Sequence, residues 1–372
     1  MAAASGAERD GPLQGLRVVE FAGVGPAQLG TMLLSVLGAE VVRIDRPAGA
    51  LDLGGDPRLE ILARGRRSIG LDLKDPAELE LAWKLVERAD VLVDPYRPGV
   101  IERLGVGPDE ALKRNRRLIF TRMTGWGQEG PLAGAAGHDV NYIALTGALA
   151  EIGEPGRPPT VPVNLVADFG GGGMLMAIGV LAALAERERS RRGQVLDVAM
   201  VDGVAALMGS VLQLRAMGLW EDGRGVNWLQ GAAPWYRAYE TADGEYVSVG
   251  ALEPKFYADL LGRIGLDPAA WPQHEKNCWP ALERVMAARF AARTLAEWRA
   301  ELEGTDVCFA PVLGVEKAAR HPQLRARGTY VHRDGVLQPG VAPKFSRTPG
   351  AVAGPPPLPD QHGAEIRAEL AG

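Results

Sequence analysis

The segment from Leu16 to Asp45 limits what this chain can fold into more than any other stretch. The apolar run L-R-V-V-E-F-A from Leu16 to Ala22 reads as a buried strand. Gln28 to Leu37 continues at helical spacing until Gly38 stops it, and Ala39 to Asp45 reads as a second strand. Strand, turn, helix and strand in that order make a βαβ unit, which commits the N-terminal part to a parallel sheet covered by helices. The turn Gly23-Val24-Gly25, with Asp45 beyond the helix, imitates a dinucleotide-binding fingerprint. Gln28 stands where its third glycine belongs and Pro26 stiffens it, so a tight turn is the expectation and a nicotinamide site is not.

The same layout continues downstream. Asp75-Pro76-Ala77-Glu78 is a helix start with a cap, a proline at the first helical position and a glutamate two residues further on. Val91 to Asp94, Leu118 to Met123 and Gln194 to Ala199 read as further strands, and Met200 to Met217 as one largely apolar helix. Gly218 to Ala233 has the composition of a linker. Trp235 to Val249 reads as a hairpin across Asp243-Gly244, and Lys255 to Gly304 as helices. The expected class is α/β: a Rossmann-like parallel-sheet large domain over 12–217, a linker over 218–234 and a smaller α+β domain over 235–320. A C-terminal segment, 321–372, follows with a stiff connector from Pro355 to Pro359 and a short final helix.

Composition narrows the function. A chain of 372 residues, 47% hydrophobic, has ample material for large cores. A net charge of −5 argues against a nucleic-acid binder, so an anionic ligand has to be met by local arginines. Only Cys278 and Cys308 occur, no run of 18 apolar residues is free of charge, and M-A-A-A-S-G-A-E-R-D lacks the basic start and apolar core of a signal peptide. These features lead to the expectation of a reduced, cytoplasmic enzyme with no membrane span. His274, His321, His332 and His362 share no metal-ligand spacing, and no metal site is expected.

Two Gly-rich loops carry the chemistry. Thr124 to Gly137 contains five glycines and one proline and delivers His138; Gly153 to Pro162 contains four prolines and leads to Asp168, which precedes Gly170 to Gly173. A neutral imidazole and a carboxyl group presented by loops on a rigid sheet suit the removal and return of a proton on carbon, although such pairs are more often structural. Asp139 is placed to cap the helix that follows. The glycine run allows either close approach of a ligand, its N–H groups receiving developing negative charge, or tight packing of helices. Arg46 at the end of the second strand, with Arg64, Arg66 and Arg67 downstream, reads either as a phosphate-neutralising set or as a solvated basic loop. Met174, Met176, Met200, Met208 and Met217 on apolar helices read as core, though such side chains also suit acyl groups of varied shape.

The string M-T-G-W-G-Q-E-G-P-L-A-G-A-A-G-H-D-V-N-Y, followed by N-L-V-A-D-F-G-G-G-G-M, resembles the family III CoA-transferase (CaiB/BaiF) group. Within it the similarity is to α-methylacyl-CoA racemases and runs from Leu13 to Arg347. The resemblance implies a racemase of 2-methylacyl-CoA thioesters in fatty acid metabolism, needing no cofactor, with CoA as part of the substrate. His138 and Asp168 are then the two bases. CoA contacts are implied at Arg46, Leu71, Asp72, Leu73, Lys74, Pro95, Tyr96, Arg97 and Arg103, and at Gly137, Asp139, Asn141 and Tyr142. It also implies an interlocked homodimer in which Glu253, from G-A-L-E-P-K-F-Y, reaches the catalytic histidine of the other subunit, and a C-terminal tail that returns to the large domain. Gln230 departs from the pattern, which has Asp there. The rival readings are CoA transfer with Asp168 as nucleophile, and a non-catalytic acyl-CoA-binding protein.

Overall fold

The computed structural model describes residues 11–47 and 55–372; the N-terminal stretch read above as lacking a signal sequence lies outside the described residues. Two compact units emerge. The second takes Leu149–Val161 and Ser210–Arg325, and the first takes the remainder. The expected large domain had included 149–161 and 210–217. The first of these belongs with the smaller unit because Glu151 accepts from Trp220 Nε1 at 3.2 Å and Gln230 Nε2 at 2.5 Å, while Arg224 donates to the carbonyls of Ala150 and Glu154; the second is tied to it by Arg215, which pairs with Asp222 at 2.5 Å.

The first unit is built on six strands: β1 Arg17–Phe21, β2 Glu40–Asp45, β3 Arg66–Gly70, β4 Val91–Asp94, β5 Ile119–Thr124 and β6 Gln194–Ala199. They lie in the order β3-β2-β1-β4-β5-β6 and every pairing is parallel. Helices α1 Pro26–Val36, α2 Pro76–Arg88, α3 Val100–Arg103, α4 Pro108–Arg114 and α5 Asp139–Leu145 connect the strands or follow them. The N-terminus of α2 forms as its sequence dictates: Pro76 opens the helix and Asp75 Oδ1 accepts from the Ala77 N–H at 2.8 Å. Val19, Phe21, Val42, Ile44, Leu92 and Phe120 pack against Trp83, Leu85 and Val86 of α2, and each full burial of such a side chain contributes about 1.5–3 kcal/mol. Ile366 and Leu370 of the C-terminal helix Gly363–Ala371 complete this core, so the tail does return to the large unit.

Strand β3 was not expected, because R-R-S-I-G reads as polar. Its polar groups are satisfied inside the protein. Arg66 pairs with buried Glu20 of β1 and Thr31 of α1, and donates to the Gln28 carbonyl at 2.8 Å. Ser68 accepts from Asp360 N at 2.9 Å and donates to Asp45 at 2.5 Å. Its edge is covered by the tail, where Asp360 Oδ1 accepts from Gly70 N at 2.8 Å and His362 Nδ1 from Ser68 N at 3.1 Å.

After α5 the chain enters a π-helical segment, Leu165–Met174, which runs without a break into α6 Leu175–Ser190; α7 Met200–Leu207 follows β6. The stretch Leu165–Ser190 is long and apolar enough to cross a bilayer by length and composition. In this fold its glycines pack inward. A Cβ on Gly172 would lie 2.9 Å from Pro26 Cβ, on Gly173 2.8 Å from Pro26 O, and on Gly171 2.9 Å from Val204 N. The glycine run is thus the seat of α1 and α7, and not a place of ligand approach. Its amides lie within the helix and are not donors to a thioester oxygen. The expected helix Met200–Met217 is two pieces, broken after Leu207.

The second unit contains β7 Tyr236–Glu240, β8 Tyr246–Gly250 and β9 Phe309–Val312 in one antiparallel sheet. Gly244, with φ 71°, makes the turn between β7 and β8 that the Asp-Gly pair signalled. Helices Pro254–Arg263, Trp279–Phe290 and Leu295–Leu302 cover it around Tyr239, Phe290 and Trp298.

Candidate active site

The strand order reverses between β1 and β4, and there the turns leaving their carboxyl ends diverge and open a crevice. Two adjoining clefts occupy this edge of the sheet. One, of about 310 Å³, is lined by 24–27 after β1, 95–98 after β4, 123–126 at the end of β5, and by Gly137, His138, Tyr142, Asp168 and Met200. The other, of about 480 Å³, is lined by Asp45, Arg46 and Pro47, by 71–74 and by Tyr96. Tyr96 belongs to both. The turn Gly23–Gly25 is shaped for this edge: a Cβ on Gly23 would lie 2.7 Å from Pro95, and Gly25 has φ 73° with Asp168 Oδ2 3.7 Å from where its Cβ would be.

His138 and Asp168, distant in sequence, line the same cleft. His138 is the residue before α5, its backbone N–H bound to Asn141 Oδ1 at 3.0 Å. The ring is exposed. Tyr142 donates from its hydroxyl to the Gly137 carbonyl at 2.5 Å and meets Trp126 edge-on at 4.7 Å, which holds the end of the Gly-rich loop. Asp139 does not cap α5 as expected. It is buried, and its Oδ2 accepts from the N–H groups of Ala167 at 2.7 Å and Asp168 at 2.9 Å, capping the π-helical segment instead. One residue therefore ties the backbone beside His138 to the backbone of Asp168.

Asp168 lies inside the π-helical segment rather than ahead of it. Burial pushes its carboxyl above the ordinary range and nearby Asp139 pushes the same way; a hydrogen bond from Asn164 and the proximity of His138 pull against them. Asn164 Nδ2 donates to Asp168 Oδ2 at 3.1 Å. Sequence reasoning missed Asn164, although it stands four residues before Asp168, where one helical turn brings side chains together.

The arginines divide. Arg46 is exposed at the second cleft, facing the Tyr96 hydroxyl, whose pKa is raised by burial and drawn down by this guanidinium. Leu71, Asp72, Leu73 and Lys74 line that cleft with it, while Pro95, Tyr96 and Arg97 line the first. Arg103 is exposed at the end of α3 and lines neither. Arg64, Arg66 and Arg67 do not belong to a phosphate-binding set. Arg64 is buried and donates to Gln338 Oε1 at 2.6 Å and the Pro339 carbonyl at 3.0 Å. Arg66 is spent on Glu20, and Arg67 on Glu40, Glu365 and Glu369.

In the second unit, Glu253 stands exposed just before the helix Pro254–Arg263 and makes no side-chain cap. Gln230 accepts from the Val226 and Asn227 N–H groups at 3.1 and 3.0 Å and donates to Glu151, so at this position the amide anchors a loop. A carboxylate there would face Glu151 with like charge. Met176 and Met200 are buried, whereas Met174 and Met217 are exposed.

A family model described as CoA-transferase family III matches residues 13–363. The alpha-methylacyl-CoA racemase of Mus musculus is 44% identical over 361 residues, covering 96% of this chain and 93% of the relative. That of Homo sapiens is 42% identical over 339 residues, covering 91% and 87%. Among solved structures, a CAIB/BAIF family protein from Brucella suis matches with a TM-score of 0.85 and 26% identity, over 97% of this chain and all of that one.

Proposed function

We infer the function from one premise: this chain belongs to CoA-transferase family III. Within that family it is a racemase that inverts the α-carbon of 2-methylacyl-CoA thioesters by two-base proton transfer. The observation that carries this reading is the meeting of His138 and Asp168 in one cleft at the switch point of the sheet. The thioester acidifies the α-proton. One group removes it from one face while the conjugate acid of the other returns a proton to the opposite face, and the reverse direction exchanges their roles. For the direction in which His138 is the base, Asp168 starts protonated, and burial raises its pKa in that sense. At the start of α5, beside His138, Asn141 and Tyr142 donate their N–H groups to the His138 carbonyl, which leaves those of Asp139 and Val140 to suit charge developing on the thioester oxygen. Arg46 and Lys74 suit the phosphates of CoA in the adjoining cleft. No other cofactor enters this scheme.

CoA transfer would use Asp168 as a nucleophile, which requires the ionised carboxylate that burial disfavours, and would leave His138 without a role. The active form in this reading is a homodimer. Exposed apolar side chains, Leu145, Leu165, Met174, Ile178 and Leu181, suit a second copy, and Glu253 of that copy would orient the exposed imidazole of His138. The test is deuterium uptake at C2 of a 2-methylacyl-CoA in heavy water. Exchange with inversion is expected without added acceptor acid; turnover that strictly requires a second carboxylic acid would establish transfer instead.

A further inference from the structure

Beneath the turn that separates the two clefts runs a chain of three charged side chains that proton transfer does not use. Asp94, the last residue of β4, is 0% exposed. Its Oδ1 accepts from the backbone N–H of Tyr96 at 2.9 Å. Its Oδ2 lies 3.5 Å from Nε of Arg122 on β5, itself buried, and has no hydrogen-bond partner. Arg122 reaches onward to Glu102 on α3 at 2.8 Å, and α3 begins where the turn ends. An acid this deep in a sheet costs stability unless it is fully paired, and here the pairing is incomplete, so packing alone gives no reason for it. Its side chain instead shapes the backbone: the bond to the N–H two residues on begins the Pro95–Pro98 turn.

We propose that Asp94 is a positioning residue for acyl-CoA: through the Tyr96 N–H and the Arg122–Glu102 pair it holds the turn that presents Tyr96 to both clefts and Arg97 to the one containing His138. This rests on the reading of the clefts as an acyl-CoA site. The titratable and charged groups facing Asp94 are Arg122 from β5, Glu102 from α3 and Tyr96 from the turn itself. Burial pushes Asp94 up to about 6, against the Tyr96 amide and Arg122, while Glu102 acts with burial. Above that pH the carboxylate holds the turn. Below it, the protonated acid releases Arg122 and weakens its bond to Tyr96, so the grip on CoA loosens.

The experiment measures binding of 3′-dephospho-CoA to the full chain by calorimetry between about pH 5 and 8, a ligand lacking the phosphate monoester whose own ionisation near pH 6 would imitate the effect. The unaltered chain is expected to lose about 2- to 30-fold in affinity as pH falls through the step. Asp94→Asn, which resembles the protonated acid, should bind at high pH as weakly as the unaltered chain does at low pH, with no step. Glu102→Gln removes the charge that raises Asp94, so its step should move to lower pH; this surface variant keeps the test decisive if Asp94→Asn fails to fold. Binding by a folded Asp94→Asn that matches the unaltered chain throughout, or an unmoved step in Glu102→Gln, overturns the proposal. An unaltered chain that binds neither 3′-dephospho-CoA nor CoA itself sinks the acyl-CoA reading and this inference with it, whereas binding indifferent to Asp94 sinks the inference alone.

Discussion

In the proposed scheme two side chains, His138 and Asp168, and their immediate neighbours carry the chemistry. His138→Ala and Asp168→Ala are each expected to lower racemisation by about 10²- to 10⁴-fold, the loss of a positioned acid or base. What survives should differ. Exchange of the α-proton requires only one base on one face, so in heavy water the two variants should retain exchange with opposite enantiomers. Equal exchange of the same enantiomer by both would place the groups on one face and end the two-base scheme. Asn164 offers a finer test. Its N–H stabilises the ionised form of Asp168, so Asn164→Ala should raise a carboxyl pKa that burial already raises. In pH–rate profiles, the alkaline limb for the direction using Asp168 as acid should move to higher pH. So should the acidic limb for the direction using it as base. Limbs that stay in place would mean that Asp168 is not the titrating group.

At the level of elements, the π-helical segment decides whether Asp168 faces the cleft, and its glycines decide whether that segment fits. Gly203 of α7 sits against it so closely that a Cβ would lie 2.0 Å from the Gly171 carbonyl oxygen. Gly203→Ala should therefore destabilise by about 1–3 kcal/mol, as overpacking does, and should lower the urea midpoint and activity together. Gly262, in the helix Pro254–Arg263 with nothing near its missing Cβ, provides the contrast. Gly262→Ala should stabilise by about 0.5–1 kcal/mol from helix propensity alone. Equal effects at the two positions would remove close helix contact as the reason for the glycine run.

On the scale of the whole molecule, the question is whether one chain completes a site. If Glu253 orients His138 across a dimer, mixing His138→Ala with Glu253→Ala subunits should restore activity. The heterodimer then joins an intact His138 to an intact Glu253 in one of its two sites. Up to half the unaltered activity per heterodimer is expected. No recovery in mixtures that sedimentation shows to be heterodimeric would put Glu253 out of the mechanism or within the same chain.

Local periodicity was enough to read strands β1, β2, β4, β5 and β6, helices α1 and α2, the β7–β8 hairpin and the two loops, because those signals come from neighbouring residues. The pairing of His138 with Asp168 was legible as chemistry in two similar loop contexts. Their meeting was decided by the strand order, which sets the ends of β1, β4 and β5 around one crevice. Strand β3 escaped the sequence because its polarity is satisfied by Glu20, Thr31 and the tail, partners remote along the chain. For the same reason Arg64, Arg66 and Arg67 look like anion ligands in one dimension and are structural cations in three. Asp139 is the sharpest case. Its type and position at a helix start gave a cap for α5, but its carboxylate turns to a helix 28 residues away, since only packing could bring those orphan N–H groups within reach.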